Sequence, residues 1–117
     1  MPSNIQIAKS AVHGRGVFAT SDLSRWDVLC ECPVILVSNR DSSNSGSLGA
    51  YYFEWSTINH ALILGPISLV NHSGTPNAAI YTNHRNKTAQ MLALRKIKKD
   101  DEILIDYGKN YEYSYFN

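Results

Sequence analysis

The sequence lacks a long apolar run, because no stretch reaches the roughly 18 apolar residues that a membrane-spanning helix requires. Its start, MPSNIQIAKS, also lacks the basic stretch and apolar segment of a secretory signal. We therefore expect a soluble, intracellular protein with no membrane partner. The formal net charge is only +1 at pH 7. Direct binding to nucleic acid through a strong electrostatic attraction is accordingly not expected.

Cysteine is scarce, since Cys30 and Cys32 are the only two in the chain. They are separated by one residue in an apolar run typical of a strand, which would place both thiols on one face. A structural zinc site needs about four ligands. The histidines are scattered rather than paired at ligand spacing, at His13, His60, His72 and His84. The sequence therefore predicts two buried thiols and no metal site.

The chain has 117 residues, of which 44% are hydrophobic, and this predicts one compact domain spanning residues 1–117. Residues 39–49 have the composition of a loop, whereas 50–58 fit either a short helix or a strand. No repeat or long helical periodicity is present. Apolar and β-branched stretches predict strands at 4–12, 28–37, 78–83, 88–97 and 102–106, with HRNK as a hairpin turn. The predicted class is mostly β with little helix.

Two short polar motifs could carry chemistry. In HGRGVFA, Gly14 and Gly16 would let backbone amides approach an anionic group, although an ordinary β-turn explains them equally well. In NHSGTPN, most residue types suit a turn, but His72 after an apolar run is not required by one. The amide of Asn71 offers both donor and acceptor, so it could hold a zwitterionic ligand or the local backbone.

A third motif, EILIDYG, ends a predicted strand at Asp106, Tyr107 and Gly108. Four of the seven tyrosines crowd the end of the chain, at Tyr107, Tyr111, Tyr113 and Tyr115. Such a segment commonly packs its aromatic rings on the core. Phenol oxygens would equally suit a narrow channel that orients an amine and holds positive charge beside ring faces.

In this order and spacing, GRG, NHSGTPN and EILIDYG resemble the signature blocks of the SET-domain lysine methyltransferases, from Ala11 to Tyr111. No cysteine-rich segment follows DYG and no zinc-binding block precedes the motifs, so the chain resembles the short, stand-alone viral and bacterial members. The resemblance implies a fold of small curved β-sheets. It also implies that the Asn-His turn lies beside the last strand in a C-terminal knot-like crossing.

The resemblance implies a cofactor, S-adenosylmethionine, with S-adenosylhomocysteine as product and no metal. The backbone of Gly14, Arg15 and Gly16 would meet its methionine part, and Asn71 and His72 would hold its amino group and adenine. Tyr107 matches the catalytic tyrosine beside the cofactor. The lysine channel would be lined by Tyr51 and Tyr111, which resemble channel tyrosines of the family.

The implied activity is protein-lysine N-methylation, with a histone tail favoured as substrate and nuclear action if that is correct. A non-histone substrate, which would permit a cytoplasmic location, stays open. So does a non-catalytic SET-like module that binds peptide or cofactor. The aromatic C-terminal segment would have to close the site alone or with a second subunit, which makes a homodimer a further expectation.

Overall fold

The computed structural model describes residues 4–108 and 110–112, with 49–50 and 110–112 described by their backbone. The described chain is built mainly from short strands, as predicted. In chain order the strands are β1 (Ile5–Lys9), β2 (Arg15–Ala19), β3 (Val28–Ser38), β4 (Tyr52–Glu54), β5 (Asn59–Ile63), β6 (Asn71–His72), β7 (Ala78–Asn83), β8 (Thr88–Ala93), β9 (Glu102–Ile105) and β10 (Asn110–Glu112). The helical segments are α1 (Asn39–Ser43) and 3₁₀ turns at Gly46–Tyr51 and Pro66–Leu69.

The strands form two sheets, with the order β1-β2-β9-β6 in the first and β10-β7-β8-β3-β5-β4 in the second. Strand β3 serves two partners in turn: its first half pairs with β8, and its second half, from Val34 onward, pairs with β5. Pro33 lies at the change of partner. Because proline has no backbone N–H to give a ladder, it is tolerated best where pairing changes.

The core consists of aliphatic side chains from both sheets, including the fully buried Ile80, Met91 and Ile103. Cys32 is buried as predicted, but Cys30 is only half-buried, and both thiols are free. Their sulfurs lie 4.0 Å apart. Contact with the Cys30 thiol lowers the pKa of Cys32 to about 7, whereas the same contact and burial raise the pKa of Cys30.

The segment between β3 and β6 departs most from the prediction. The expected loop at 39–49 begins with α1, whose first turn is capped by Ser38 Oγ accepting from the backbone N–H of Asp41 at 3.2 Å. The same helix is tied to β5 by a 2.8 Å hydrogen bond between Ser42 Oγ and His60 Nδ1. The ambiguous stretch 50–58 ends a 3₁₀ turn and then forms β4, and β5 was not predicted.

Two neighbouring crossings join the sheets. Strand β6 runs parallel to β9 in the first sheet. The strand that follows β6 in the chain is β7, and the strand that follows β9 is β10; these two strands are parallel in the second sheet. Asn77 fastens the crossing, because its Nδ2 donates to the carbonyl of Glu102 and its Oδ1 accepts from the N–H of Leu104. This is the knot-like arrangement predicted for the Asn-His turn and the last long strand. Among the described residues, no helix has the length and apolar character to cross a membrane.

Candidate functional site

A cavity of about 1170 Å³ opens where the Asn-His turn, the glycine turn and the end of β9 meet. It brings together five of the residues predicted from sequence, although they are far apart in the chain: Gly14, Arg15, Tyr51, Asn71 and Tyr107. The remainder of the wall is mixed: apolar and aromatic side chains such as Phe53, Trp55 and Leu69 alternate with polar ones such as Glu54 and His60. The site thus combines backbone, amide and phenol groups with a lining that is partly apolar and partly polar.

Asn71 closes the glycine turn through its side chain. Its Nδ2 donates to the carbonyls of His13 and Arg15, each at 3.0 Å, and to the carboxylate of Glu102 at 2.9 Å. The residue is only 6% exposed. Its Oδ1 accepts no hydrogen bond from the described part of the chain. The amide therefore holds the local backbone with its donor, as one of the two alternatives from the sequence expects; that it also holds a ligand stays a prediction.

Gly16 is required by this close packing. A Cβ at this position would collide with the Glu102 carboxylate and would lie 3.1 Å from Nδ2 of Asn71. Gly14 is needed for a different reason, because its φ of +49° falls in the left-handed region that favours glycine. The space around a Cβ at Gly14 is open. The two glycines therefore let the turn fold tightly against Asn71. Gly14 and Arg15 line the cavity, whereas Gly16 is not among its lining residues.

His72 supports the backbone of Tyr107, the predicted catalytic residue. Its Nδ1 accepts a 2.9 Å hydrogen bond from the backbone N–H of Tyr107, so the proton of the neutral ring lies on Nε2. The two rings lie 5.1 Å apart between centroids, tilted by 48°. His72 is not among the residues that line the cavity. Its contact with the adenine of a cofactor stays a prediction.

Tyr107 places its phenol on the cavity wall. Its Oη donates to the carbonyl of Val70 at 2.7 Å, directly before the Asn-His turn. Burial raises the pKa of Tyr107, and the neighbouring phenol of Tyr51 raises it further. The phenol is therefore protonated throughout the neutral range and can donate a hydrogen bond.

Of the two predicted channel tyrosines, the structure describes the side chain of Tyr51 but only the backbone of Tyr111. Tyr51 lines the cavity and is close enough to Tyr107 to influence its pKa. The adjacent Tyr52 also borders the cavity, but its Oη is engaged with Ser45 Oγ at 3.0 Å. The backbone of Tyr111 pairs with Tyr81 between β10 and β7, but its side chain lies outside the described residues. The aromatic end of the chain, from Tyr113 onward, is also outside them.

Sequence reasoning missed two features of the site. Glu102 was read only as a strand residue, although it lies in EILIDYG and its carboxylate reaches both Asn71 and Ser10. Trp55 and His84 stack at 4.1 Å between centroids on the cavity wall. Neither residue belongs to a motif, so only their proximity in the fold identifies them.

No cluster of three or more potential metal-ligating side chains occurs in the described ranges. The described site places an amide, a phenol and a tight glycine turn around one cavity, at the junction of two small β-sheets. The SET domain family matches residues 14–108, which is most of the chain. The chain belongs to the SET-domain family.

Its relatives agree with this assignment. It is 31% identical over 109 residues to a histone-lysine N-methyltransferase of Schizosaccharomyces pombe specific for lysine 37 of histone H3, covering 91% of this chain and 74% of that protein. It is 31% identical over 115 residues to the histone H3 lysine-4-specific enzyme of Aspergillus oryzae, covering 88% of this chain but 9% of that one.

A solved structure of a candidate histone methyltransferase from Plasmodium falciparum superimposes with a TM-score of 0.73, at 30% identity and with 100% of both chains covered. This likeness confirms the predicted fold. With the family match and the yeast relative, it also confirms the predicted class of enzyme, protein-lysine N-methyltransferase. S-adenosylmethionine is the cofactor of that family in general.

Proposed function

We propose that this SET domain transfers a methyl group from S-adenosylmethionine to a lysine side chain, with a histone tail as the substrate. The observation that carries the proposal is the fixed position of the Tyr107 phenol, which its bond to Val70 holds on the wall shared with Asn71. A phenol beside an amide acceptor and an exposed backbone turn suits a small zwitterion on one side and an amine on the other.

The residues fit the cofactor in size and chemistry. The cavity of about 1170 Å³ has room for a nucleoside-amino acid conjugate. Oδ1 of Asn71 supplies an acceptor for an ammonium group, and the turn at Gly14 and Arg15 supplies backbone groups for the methionine part. S-adenosylmethionine would supply a methyl group on a positively charged sulfur; a neutral amine would bond to the methyl carbon as the carbon–sulfur bond breaks, with S-adenosylhomocysteine as the leaving group.

The chain's own task is to orient and desolvate the amine. A lysine with its ordinary pKa of about 10.4 is protonated at neutral pH and cannot attack. The apolar and aromatic part of the wall, which includes Phe53, Trp55 and Leu69, would disfavour the ammonium form and so lower that pKa. Tyr107 and Tyr51 would then direct the amine's lone pair, since positioning at near-attack distance is the main source of acceleration in such a transfer. Fixed dipoles in the site stabilise developing charge without reorganising.

The histone substrate is supported by the relatives, two of which are named for lysines of histone H3. A histone substrate would place the reaction in a nucleus. The non-catalytic alternative is disfavoured because the Tyr107 phenol, the Asn71 amide and the glycine turn meet at one cavity. The dimer remains a prediction from the sequence.

The test is methyl transfer from labelled S-adenosylmethionine to purified core histones, with each histone assayed separately. We expect label on a histone lysine, identified by peptide mass spectrometry. Serum albumin, which is also rich in surface lysines, serves as the control substrate. Cofactor binding without label on any histone would contradict the histone proposal, and label on neither histones nor a cell-extract panel would favour the binding module.

A further inference from the structure

The Glu102 carboxylate occupies an unusual position for a charged group. It is half-buried at the start of β9, where Ser10 Oγ lies 2.8 Å from Oε1 and 2.9 Å from Oε2. On its other side, Oε2 accepts from Nδ2 of Asn71 at 2.9 Å. No lysine or arginine of the described chain forms an ion pair with it. Its negative charge is thus held by neutral donors alone, directly beneath the glycine turn.

A carboxylate can only accept hydrogen bonds, and this fixes the orientation of its amide neighbour. Asn71 must turn its NH₂ group toward Glu102 and the turn carbonyls, because the reverse orientation would oppose oxygen to oxygen. The carbonyl oxygen Oδ1 is therefore left to face away from Glu102. An acceptor in that position suits a ligand that donates hydrogen bonds, and the uncompensated charge behind it suits a cation.

We propose that Glu102 is a positioning residue that makes the site selective for a cofactor carrying a charged amino group. It does so by fixing the Asn71 amide with Oδ1 toward the ligand and by adding a negative charge behind it. The inference rests on the proposed function, since the cationic group is the ammonium of S-adenosylmethionine. Ser10 supports the carboxylate from the opposite side and also accepts from the N–H of Val12 at 2.9 Å, which links it to the same turn.

The experiment compares two ligands by calorimetry: S-adenosylhomocysteine and its analogue with a hydroxyl in place of the amino group. The Glu102→Gln variant keeps the shape of the side chain but loses its negative charge. It also replaces one acceptor oxygen by an NH₂ group, which cannot accept a hydrogen bond from Ser10 or Asn71. We expect this variant to bind S-adenosylhomocysteine roughly tenfold more weakly, as for loss of a charge-assisted bond. Its affinity for the hydroxyl analogue should change by less than about threefold on the same reasoning. Asp101→Asn is the matched control, because it removes one exposed carboxylate next in the chain and should alter neither affinity.

Equal weakening for both ligands would overturn the proposal, since a merely structural role of Glu102 does not distinguish amine from hydroxyl. Unchanged affinity for both ligands would overturn it as well. If Glu102→Gln does not fold, Glu102→Asp carries the test: with its charge kept, it should still prefer the amine to the hydroxyl, and loss of that preference would refute the role. Failure of the wild-type protein to bind S-adenosylhomocysteine would instead contradict the proposed function.

Discussion

Replacing Asn71 by alanine should destabilise the fold as well as weaken ligand binding. The substitution removes one buried NH₂ group that serves the carbonyls of His13 and Arg15 and the carboxylate of Glu102. A neutral hydrogen bond contributes about 0.5–1.5 kcal/mol and one to a charged group about 1.5–3 kcal/mol. Because two hydrogens cannot serve three acceptors at full strength, we expect a loss of about 2–4 kcal/mol in the free energy of unfolding.

The assay is urea denaturation followed by circular dichroism, read from the midpoint at constant m-value. Asn86→Ala is the matched control, since Asn86 is exposed and its side chain makes no hydrogen bond within the described chain. The control should stay within about 0.5 kcal/mol of wild type. If the stability of Asn71→Ala also stayed within that range, the hydrogen bonds of the Asn71 amide would not be stabilising the glycine turn. Affinity for S-adenosylmethionine, measured where both proteins are folded, should fall roughly tenfold or more.

Two further predictions follow from the same site. Gly16→Ala should lower the free energy of unfolding by about 1–3 kcal/mol, because the added Cβ overpacks against Glu102 and Asn71. Gly74→Ala is the control and should be nearly neutral, since a Cβ there would meet nothing within 4 Å. Equal thermal stabilities of the two variants would contradict the close packing at Gly16. Burial raises the pKa of Tyr107, so the unfolded chain ionises at this position first, and folded-state stability is lost as pH rises through the folded pKa. Between about pH 9 and 11, the free energy of unfolding should therefore fall less in Tyr107→Phe than in wild type. Denaturation curves measured across this range check the prediction. An equal fall in both proteins would contradict the raised pKa of Tyr107.

The long strands could be predicted because their apolar, β-branched residues carry a local signal. Strand β5 was missed because Leu62 and Leu64 obscure the alternation of the buried Ala61 and Ile63. The five-residue α1 was missed because polar residues show no helical periodicity over so short a span. It forms where the Ser38 cap and the bond from Ser42 to β5 hold it.

The candidate site was predictable only to the level of its motifs. GRG, NHSGTPN and EILIDYG could be recognised individually, and the pairing of β9 with both β2 and β6 explains why they meet. The orientation of the Asn71 amide depends on Glu102, and Glu102 depends on Ser10, 92 residues earlier in the chain. A contact over that separation leaves no local pattern in a single sequence. For this reason the supporting carboxylate became apparent only from the fold.

The most direct test of the account is single-turnover methyl transfer to a histone by wild type and by Tyr107→Phe, with cofactor affinity measured in parallel. The substitution keeps the ring and removes only the oxygen that is bonded to Val70. Loss of one preorganised polar group costs roughly 2.7–4 kcal/mol in a comparable site, or about a hundred- to thousandfold in rate. We expect that loss in rate with nearly unchanged cofactor affinity. A Phe variant within about threefold of the wild-type rate would contradict the catalytic role of Tyr107.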